Sequence, residues 1–268
     1  MFKLKLTVAA LGLSMTMQSQ AAILELALVL DGSGSISSSE YNLQLQGYRD
    51  IIASGSFFDD FISNSIYDEV HLAAWQFATG VTSEIGWTNI TSNSIANTFG
   101  NQFNVIDMPQ LGGFTNTSAA INAASTSMLG NGFGGGIDDN MIIDISTDGR
   151  PNRGGGQNGA VSAADTSRSL GITTNTIGVG NNIGTDFLTD LVGLNNLDLY
   201  TNDSPTGFYL TASTFNEFGN TLNDKLTQEI IGQVPEPENL GMLLMGLSGI
   251  YILRSRKQNV SSGKKTSF

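Results

Sequence analysis

The 268-residue chain contains no cysteine and a single histidine. The first absence excludes disulfides, zinc-thiolate centres and thiol nucleophiles together. The second leaves an imidazole-based metal site or catalytic triad short of partners. His71 stands in the run Val70-His71-Leu72-Ala73-Ala74-Trp75 and reads as a structural strand residue. Charge is also scarce, at 13% of residues, and positive charge is scarcest: 12 Lys and Arg face 24 Asp and Glu, for a formal charge of -12. Most of the basic residues crowd the termini, as Lys3, Lys5, Arg254, Arg256, Lys257, Lys264 and Lys265. The body between keeps only Arg49, Arg150, Arg153, Arg168 and Lys225. So acidic a surface repels nucleic acid and anionic lipid and attracts cations, so no nucleic-acid partner is expected. What the chain does have is 32 glycines, 40% hydrophobic residues and many Asn, Ser and Thr. That composition suits one loop-rich domain with a sizeable core.

Both ends read as addresses. Residues 1–22 run from Lys3 and Lys5 through an apolar stretch to Ser19-Gln20-Ala21-Ala22, the pattern of a secretory signal peptide. The other end reads Val234-Pro235-Glu236-Pro237-Glu238, then an apolar run over 240–253, then Arg254-Ser255-Arg256-Lys257. The run is shorter than the ~20 residues of a usual bilayer span, and the basic residues after it hold the tail on the cytoplasmic side. This order resembles the PEP-CTERM sorting signal of Gram-negative bacteria. The resemblance implies processing by an exosortase-type enzyme and membrane attachment only through this segment before processing. It also implies a mature product in the periplasm, on the outer surface or in the extracellular matrix, commonly beside exopolysaccharide. An uncleaved C-terminal anchor is the alternative. The expected organisation is a signal peptide at 1–22, one domain at 23–232, a sorting and transmembrane segment at 233–258 and a basic cytoplasmic tail at 259–268.

Within the domain, apolar runs alternate with amphipathic stretches. Strands are expected at 23–30, 70–77, 104–106, 140–146, 172–179 and 207–210. Helices are expected at 39–52, capped by the serines 37–39, and at 95–99, 117–129, 159–170, 186–192 and 214–230. The helix at 117–129 is rich in small residues, so it can pack close to a sheet. Such alternation predicts an α/β fold: an open, mostly parallel, doubly wound sheet flanked by helices, in a single domain. Ligands of such sheets bind beyond the carboxyl ends of the strands.

Three loops occupy those ends. Asp31-Gly32-Ser33-Gly34-Ser35 follows the first strand, Gly112-Gly113-Phe114-Thr115-Asn116-Thr117 enters the small-residue helix, and Thr147-Asp148-Gly149 follows "MIIDIS". Their hydroxyls and carboxylates are hard oxygen ligands, a set that selects Mg2+, Mn2+ or Ca2+ over zinc or copper. A phosphate-cradling loop fits poorly, because no Gly-Lys-Ser/Thr follows and Asp31 would repel phosphate. The acidic pairs Asp59-Asp60 and Asp138-Asp139 read as solvated turns, either of which could hold a secondary calcium. Trp75 and Trp87 read as core or edge aromatics.

The D-x-S-x-S run with a distant Thr and a distant T-D-G resembles the von Willebrand factor type A (VWA) domain and its metal-ion-dependent adhesion site (MIDAS). The match is carried by Asp31, Ser33, Ser35, Thr115 and Asp148, in order, and extends over about 23–230. The resemblance implies a Rossmann-like fold in which Ser33, Ser35 and, in a high-affinity state, Thr115 touch a Mg2+ ion, with Asp31 and Asp148 commonly acting through water. It further implies that a protein or matrix ligand offers a carboxylate to the open position, and that ligand rearrangement moves the last helix. Metal-dependent adhesion, not catalysis, is the function so implied. The alternatives are a structural component of an extracellular polysaccharide matrix with a stabilising metal site, and a metal-dependent hydrolase. The hydrolase lacks an evident general base, since His71 lies mid-strand and the site carboxylates are committed to the metal.

Overall fold

The fold is described from a computed structural model, in which residues 21–134, 139–180, 183–195 and 206–232 are described. The expected leader up to residue 20, the sorting segment from residue 233 onward and Asp138 lie outside the described residues.

Six strands form one sheet in the order β3-β2-β1-β4-β5-β6. They are β1 (Ile23–Asp31), β2 (Glu69–Phe77), β3 (Val81–Asn89), β4 (Asn140–Thr147), β5 (Ile172–Val179) and β6 (Tyr209–Ala212). All neighbours pair in parallel except β2 and β3. Helices α1 (Ser38–Ile52), α2 (Asn93–Gly100), α3 (Thr117–Asn131), α4 (Gly156–Ser169), α5 (Thr185–Leu191) and α6 (Phe218–Leu226) cover the two faces. The expected single-domain, mostly parallel, doubly wound α/β sheet is what the chain forms.

The apolar alternation along β1 explains the layers. Leu24, Leu26, Leu28 and Leu30 face a core shared with α1 and α6, through Tyr48, Phe218 and Leu222. Ala27 and Val29 face the opposite core, where Ala120 and Ala124 of α3 bring that helix close to the sheet. Helix α1 starts as its serines predict: Ser37 is the N-cap, and with Glu40 it forms a reciprocal capping box.

Three details differ from the sequence reading. The antiparallel edge strand β3 was not anticipated, because it is short of apolar residues and only Ile85 is fully buried. No strand forms at 104–106: the Asn104 side chain accepts from the Ile106 and Asp107 backbone N–H groups and closes a turn. Asp59 and Asp60 are exposed in a short π-helical turn, Phe58–Ile62, in keeping with the expected solvated turn, and bond Asn93 and Ser56. The last helix is shorter than the expected 214–230. It begins at Phe218 and passes into a π-helical turn, Thr227–Ile231, although Phe215, Phe218, Leu222, Leu226 and Ile230 are all buried as their spacing predicts.

That helix is also held by charge. Lys225, fully buried, contacts Asp144 of β4 and lies 2.7 Å from Glu229. Asn175 of β5 donates to the same Glu229 oxygen at 2.8 Å. Elsewhere His71 is a buried strand residue, 3.0 Å from Glu69 and packed on Phe133. Trp75 and Trp87 pack edge to face at the sheet margin.

Candidate metal centre

Strand β1 lies between β2 and β4, so the direction of winding reverses at the carboxyl ends of β1 and β4. This is where an open α/β sheet leaves a crevice. Asp31 ends β1, and Thr147 ends β4 with Asp148 following it. The loop before α3 brings Thr115 to the same point.

Backbone hydrogen bonds fasten the loops together. Gly112 N donates to Gly32 O at 2.8 Å, and Gly34 N donates to Gly113 O at 2.9 Å. Gln76, at the end of β2, accepts from Leu111 N at 2.7 Å and donates to Pro109 O at 3.1 Å. Gly32 is required beneath it, because a Cβ there would stand 2.1 Å from Gln76 Oε1. Gly113 has φ +95°, a conformation open to glycine, and its Cβ would stand 2.4 Å from Thr79 Oγ1.

All five residues singled out by the sequence meet there. Ser33 Oγ lies 3.1 Å from Ser35 Oγ, and Thr115 Oγ1 donates to Ser33 Oγ at 3.0 Å. Ser35 Oγ donates to Asp148 Oδ1 at 2.8 Å. Asp31 accepts from Ser33 N at 2.8 Å through one oxygen and from Thr147 Oγ1 at 2.6 Å through the other. Asp31, Ser33 and Thr115 form a buried floor, whereas Ser35 is exposed and Asp148 half-buried, so the cluster opens to solvent on one side.

The electrostatics are unbalanced. Burial pushes the Asp31 carboxyl up to about 6 against the pull of its hydrogen bonds from Thr147 and Ser33. Burial likewise raises Asp148, with a smaller contribution from Glu40. Among the described residues no Lys or Arg forms an ion pair with Asp31 or Asp148. A buried carboxylate without a cationic partner is costly, and a bound cation removes that cost. The oxygen spacing agrees: adjacent ligands of an octahedral ion at roughly 2.1 Å stand about 3 Å apart. An all-oxygen donor set of three hydroxyls and two carboxylates therefore fits a hard divalent cation.

Several supporting residues escaped the sequence reading. Thr147 was recognised as part of its loop but not as the donor to Asp31. Gln44 of α1 donates to Asp31 O at 2.9 Å and accepts from Ser146 Oγ at 3.1 Å. Gln110 donates to Ser33 O at 3.2 Å and to Ile36 O at 2.8 Å. Asn152 accepts from Thr115 N at 2.9 Å. A polar Gln on a buried helix face, as at Gln44, was the one signal available.

A family model described as "Protein of unknown function (DUF1194)" matches residues 21–234, which includes every element of the sheet and the complete five-residue cluster. The chain belongs to the DUF1194 family. No curated protein is significantly similar to this DUF1194 chain in sequence. Among solved structures, its fold is that of the VWA domain. Proximal thread matrix protein 1 (PTMP1) from the mussel byssus superposes with a TM-score of 0.54 at 16% identity, covering 78% of this chain and 46% of the mussel protein. A form of PTMP1 with a zinc-occupied MIDAS motif gives a TM-score of 0.54 at 20% identity, over 77% and 46%. The von Willebrand factor type A structure from Catenulispora acidiphila gives 0.52 at 12% identity, over 78% and 43%. The DUF1194 chain thus spans less than half the length of these structures, and at such identities the likeness establishes the fold.

Proposed function

We propose that this chain is an exported VWA-fold protein that binds a divalent cation, Mg2+ in the first instance, through Asp31, Ser33, Ser35, Thr115 and Asp148. The cation in turn binds a carboxylate on a protein or matrix ligand. The observation that carries this reading is the convergence of three hydroxyls and two carboxylates from three loops, spaced as ligands of a small hard cation, around a buried acid with no ion pair among the described residues. Ser33, Ser35 and Thr115 would hold the ion, with Asp31 and Asp148 supplying negative charge beside it. When bound, the cation supplies a Lewis-acidic position open towards solvent. The chain's own residues orient that position: Thr147 and Ser33 N fix the Asp31 carboxylate, and Gln110 fixes the Ser33 backbone. The zinc in the MIDAS of the mussel protein supports a cation at this place in the fold.

Export rests on the leader at 1–22, and sorting by an exosortase-type system rests on the Pro-Glu-Pro segment and basic tail beyond residue 233. A matrix component whose cation mainly stabilises the domain is the competing reading, supported by the matrix role in the mussel protein's name. Calorimetric titration of the full chain with Mg2+ and Mn2+ tests the site. Saturable binding that is lost in Asp148→Ala and Ser33→Ala, with the circular dichroism spectrum retained, is the expected result. Equal binding by wild type and both variants would overturn the assignment. Mass spectrometry of the mature protein checks both termini.

A further inference from the structure

We infer that Arg153, Phe114 and Leu111 form, beside the cation site, a docking patch for an acidic polypeptide segment carrying two carboxylates and an apolar side chain. One carboxylate goes to the cation, the second to Arg153, and the apolar side chain covers Leu111 and the Phe114 edge. This rests on the cation-binding reading above.

Charge is the first argument. In a body with only five basic residues, Arg168 and Lys225 are buried and paired with Asp165 and with Asp144 and Glu229. Arg49 lies 3.7 Å from Asp50, and Arg150 is held by Asp186 and Gln157. Arg153 is exposed and forms no ion pair among the described residues; its guanidinium lies 5.5 Å from the centre of the Phe114 ring. The acidic body thus presents, next to the candidate cation site, an arginine that forms no ion pair among the described residues.

Placement is the second. Arg153 N and Asn152 N both donate to Thr115 O, at 3.2 and 3.1 Å, so the arginine's backbone is tied to a residue of the site itself. Phe114 precedes Thr115, and its N–H donates to Thr79 Oγ1 at 2.8 Å; Leu111 is tied to Gln76. The backbone of the patch is therefore preorganised, and little backbone entropy remains to be lost on binding.

Apolar exposure is the third. Phe114 is 52% and Leu111 43% exposed, although both are large apolar side chains. An aromatic beside an arginine is the composition that interfaces concentrate. Asp148 and Glu40 add negative charge at the opening, above the buried Asp31. They repel an acidic segment until a divalent cation is bound, which makes docking cation-dependent. A uronate polymer would satisfy the charges but has no aliphatic side chain for Leu111 and Phe114, so the observations favour polypeptide.

The test uses the full chain at saturating Mg2+ and a fluorescein-labelled peptide with an acid-leucine-acid core in a Gly/Ser frame, read by fluorescence polarisation. Mg2+ affinity is measured separately by calorimetry. The expected result is binding that falls about tenfold in Arg153→Ala and several-fold in Phe114→Ala, as loss of a charge-assisted contact implies. It also falls when either peptide acid becomes its amide or leucine becomes glycine, while the Mg2+ affinity of both variants equals wild type. Wild-type peptide affinity in both variants, or binding of polygalacturonate with no binding of peptide, overturns the patch while leaving the cation site standing. Arg153-dependent peptide binding in a chain that takes up no Mg2+ sinks the cation reading, and with it the cation-bridged carboxylate, leaving only the Arg153 contact.

Discussion

Replacing Lys225 with methionine should be among the most damaging single changes in the chain, although it keeps the length and apolar stem of the side chain. In the wild type, one ammonium faces two carboxylates in a site closed to water, with Lys225 and Asp144 fully buried and Glu229 nearly so. Glu229 and Asp144 both meet the Lys225 ammonium, and burial raises Glu229 to about 7, with Asp144 pushing further up and Lys225 pulling down. Burial thus favours a proton on Glu229 towards neutral pH, which brings the triad closer to neutral. Removing the ammonium leaves buried carboxylates without compensation, a change that costs roughly 3–5 kcal/mol. For a domain whose total stability is on the order of 5–15 kcal/mol, that is a large fraction. Urea denaturation followed by circular dichroism gives the loss, and amide exchange should place the loosening in α6 and the following turn. Adding Glu229→Gln and Asp144→Asn to the same chain should recover most of it, because no buried charge then remains. A cost below about 1 kcal/mol for the single change, or no recovery in the triple variant, would refute the reasoning.

The same triad makes stability depend on pH. Because the folded pKa of Glu229 is raised from 4.5 to about 7, the folded state keeps a proton that the unfolded chain releases, so this contribution is full below about 4.5 and is lost as pH rises through about 7. Asp144, Lys225, Asn175 and the Tyr48 and Tyr67 hydroxyls all face it; Glu229→Gln should flatten the stability profile between those values, and an unchanged profile would exclude the effect. Thr147→Val keeps the shape but removes the donor to Asp31, and should cost about 1–3 kcal/mol in urea denaturation, since a buried acceptor is left short. Gly32→Ala should displace the Gln76 amide, lower stability and weaken cation affinity in calorimetry. Gly80→Ala, with nothing within 4 Å of its Cβ, should stay within about 0.5 kcal/mol of wild type. Mg2+ at ~100 times its Kd should raise stability by about 2.7 kcal/mol, and this gain should vanish in Asp31→Asn.

Much of this was legible in the chain. The buried strands announced themselves as apolar runs because both faces of a central parallel strand are covered, and β1, β2, β4 and β5 lie where those runs predict. The serine cap of α1 was visible because Ser37 adjoins the helix it caps and needs no tertiary context, and the structure adds the reciprocal bond from Glu40. The five site residues could be chosen because the ends of parallel strands must share one edge of the sheet. Edge strand β3 was not legible: with one face open to solvent its residues carry no strong pattern. The turn at Asn104 was read as a strand because two apolar residues outweighed an asparagine that bonds its own backbone.

The sequence by itself determined the alternation of strands and helices, the acidic body and the identity of the oxygen-bearing loops, since each depends on local pattern or composition. Tertiary structure alone decided that Gln76 and Gly32 pin two of those loops, that Thr147 holds Asp31, and that Lys225 meets Asp144 across 81 positions of chain. It also decided that Arg153 lies beside Thr115. These are pairings between residues distant in sequence, and neither charge counts nor periodicity carries information about which side chains a sheet will bring within 3 Å of one another.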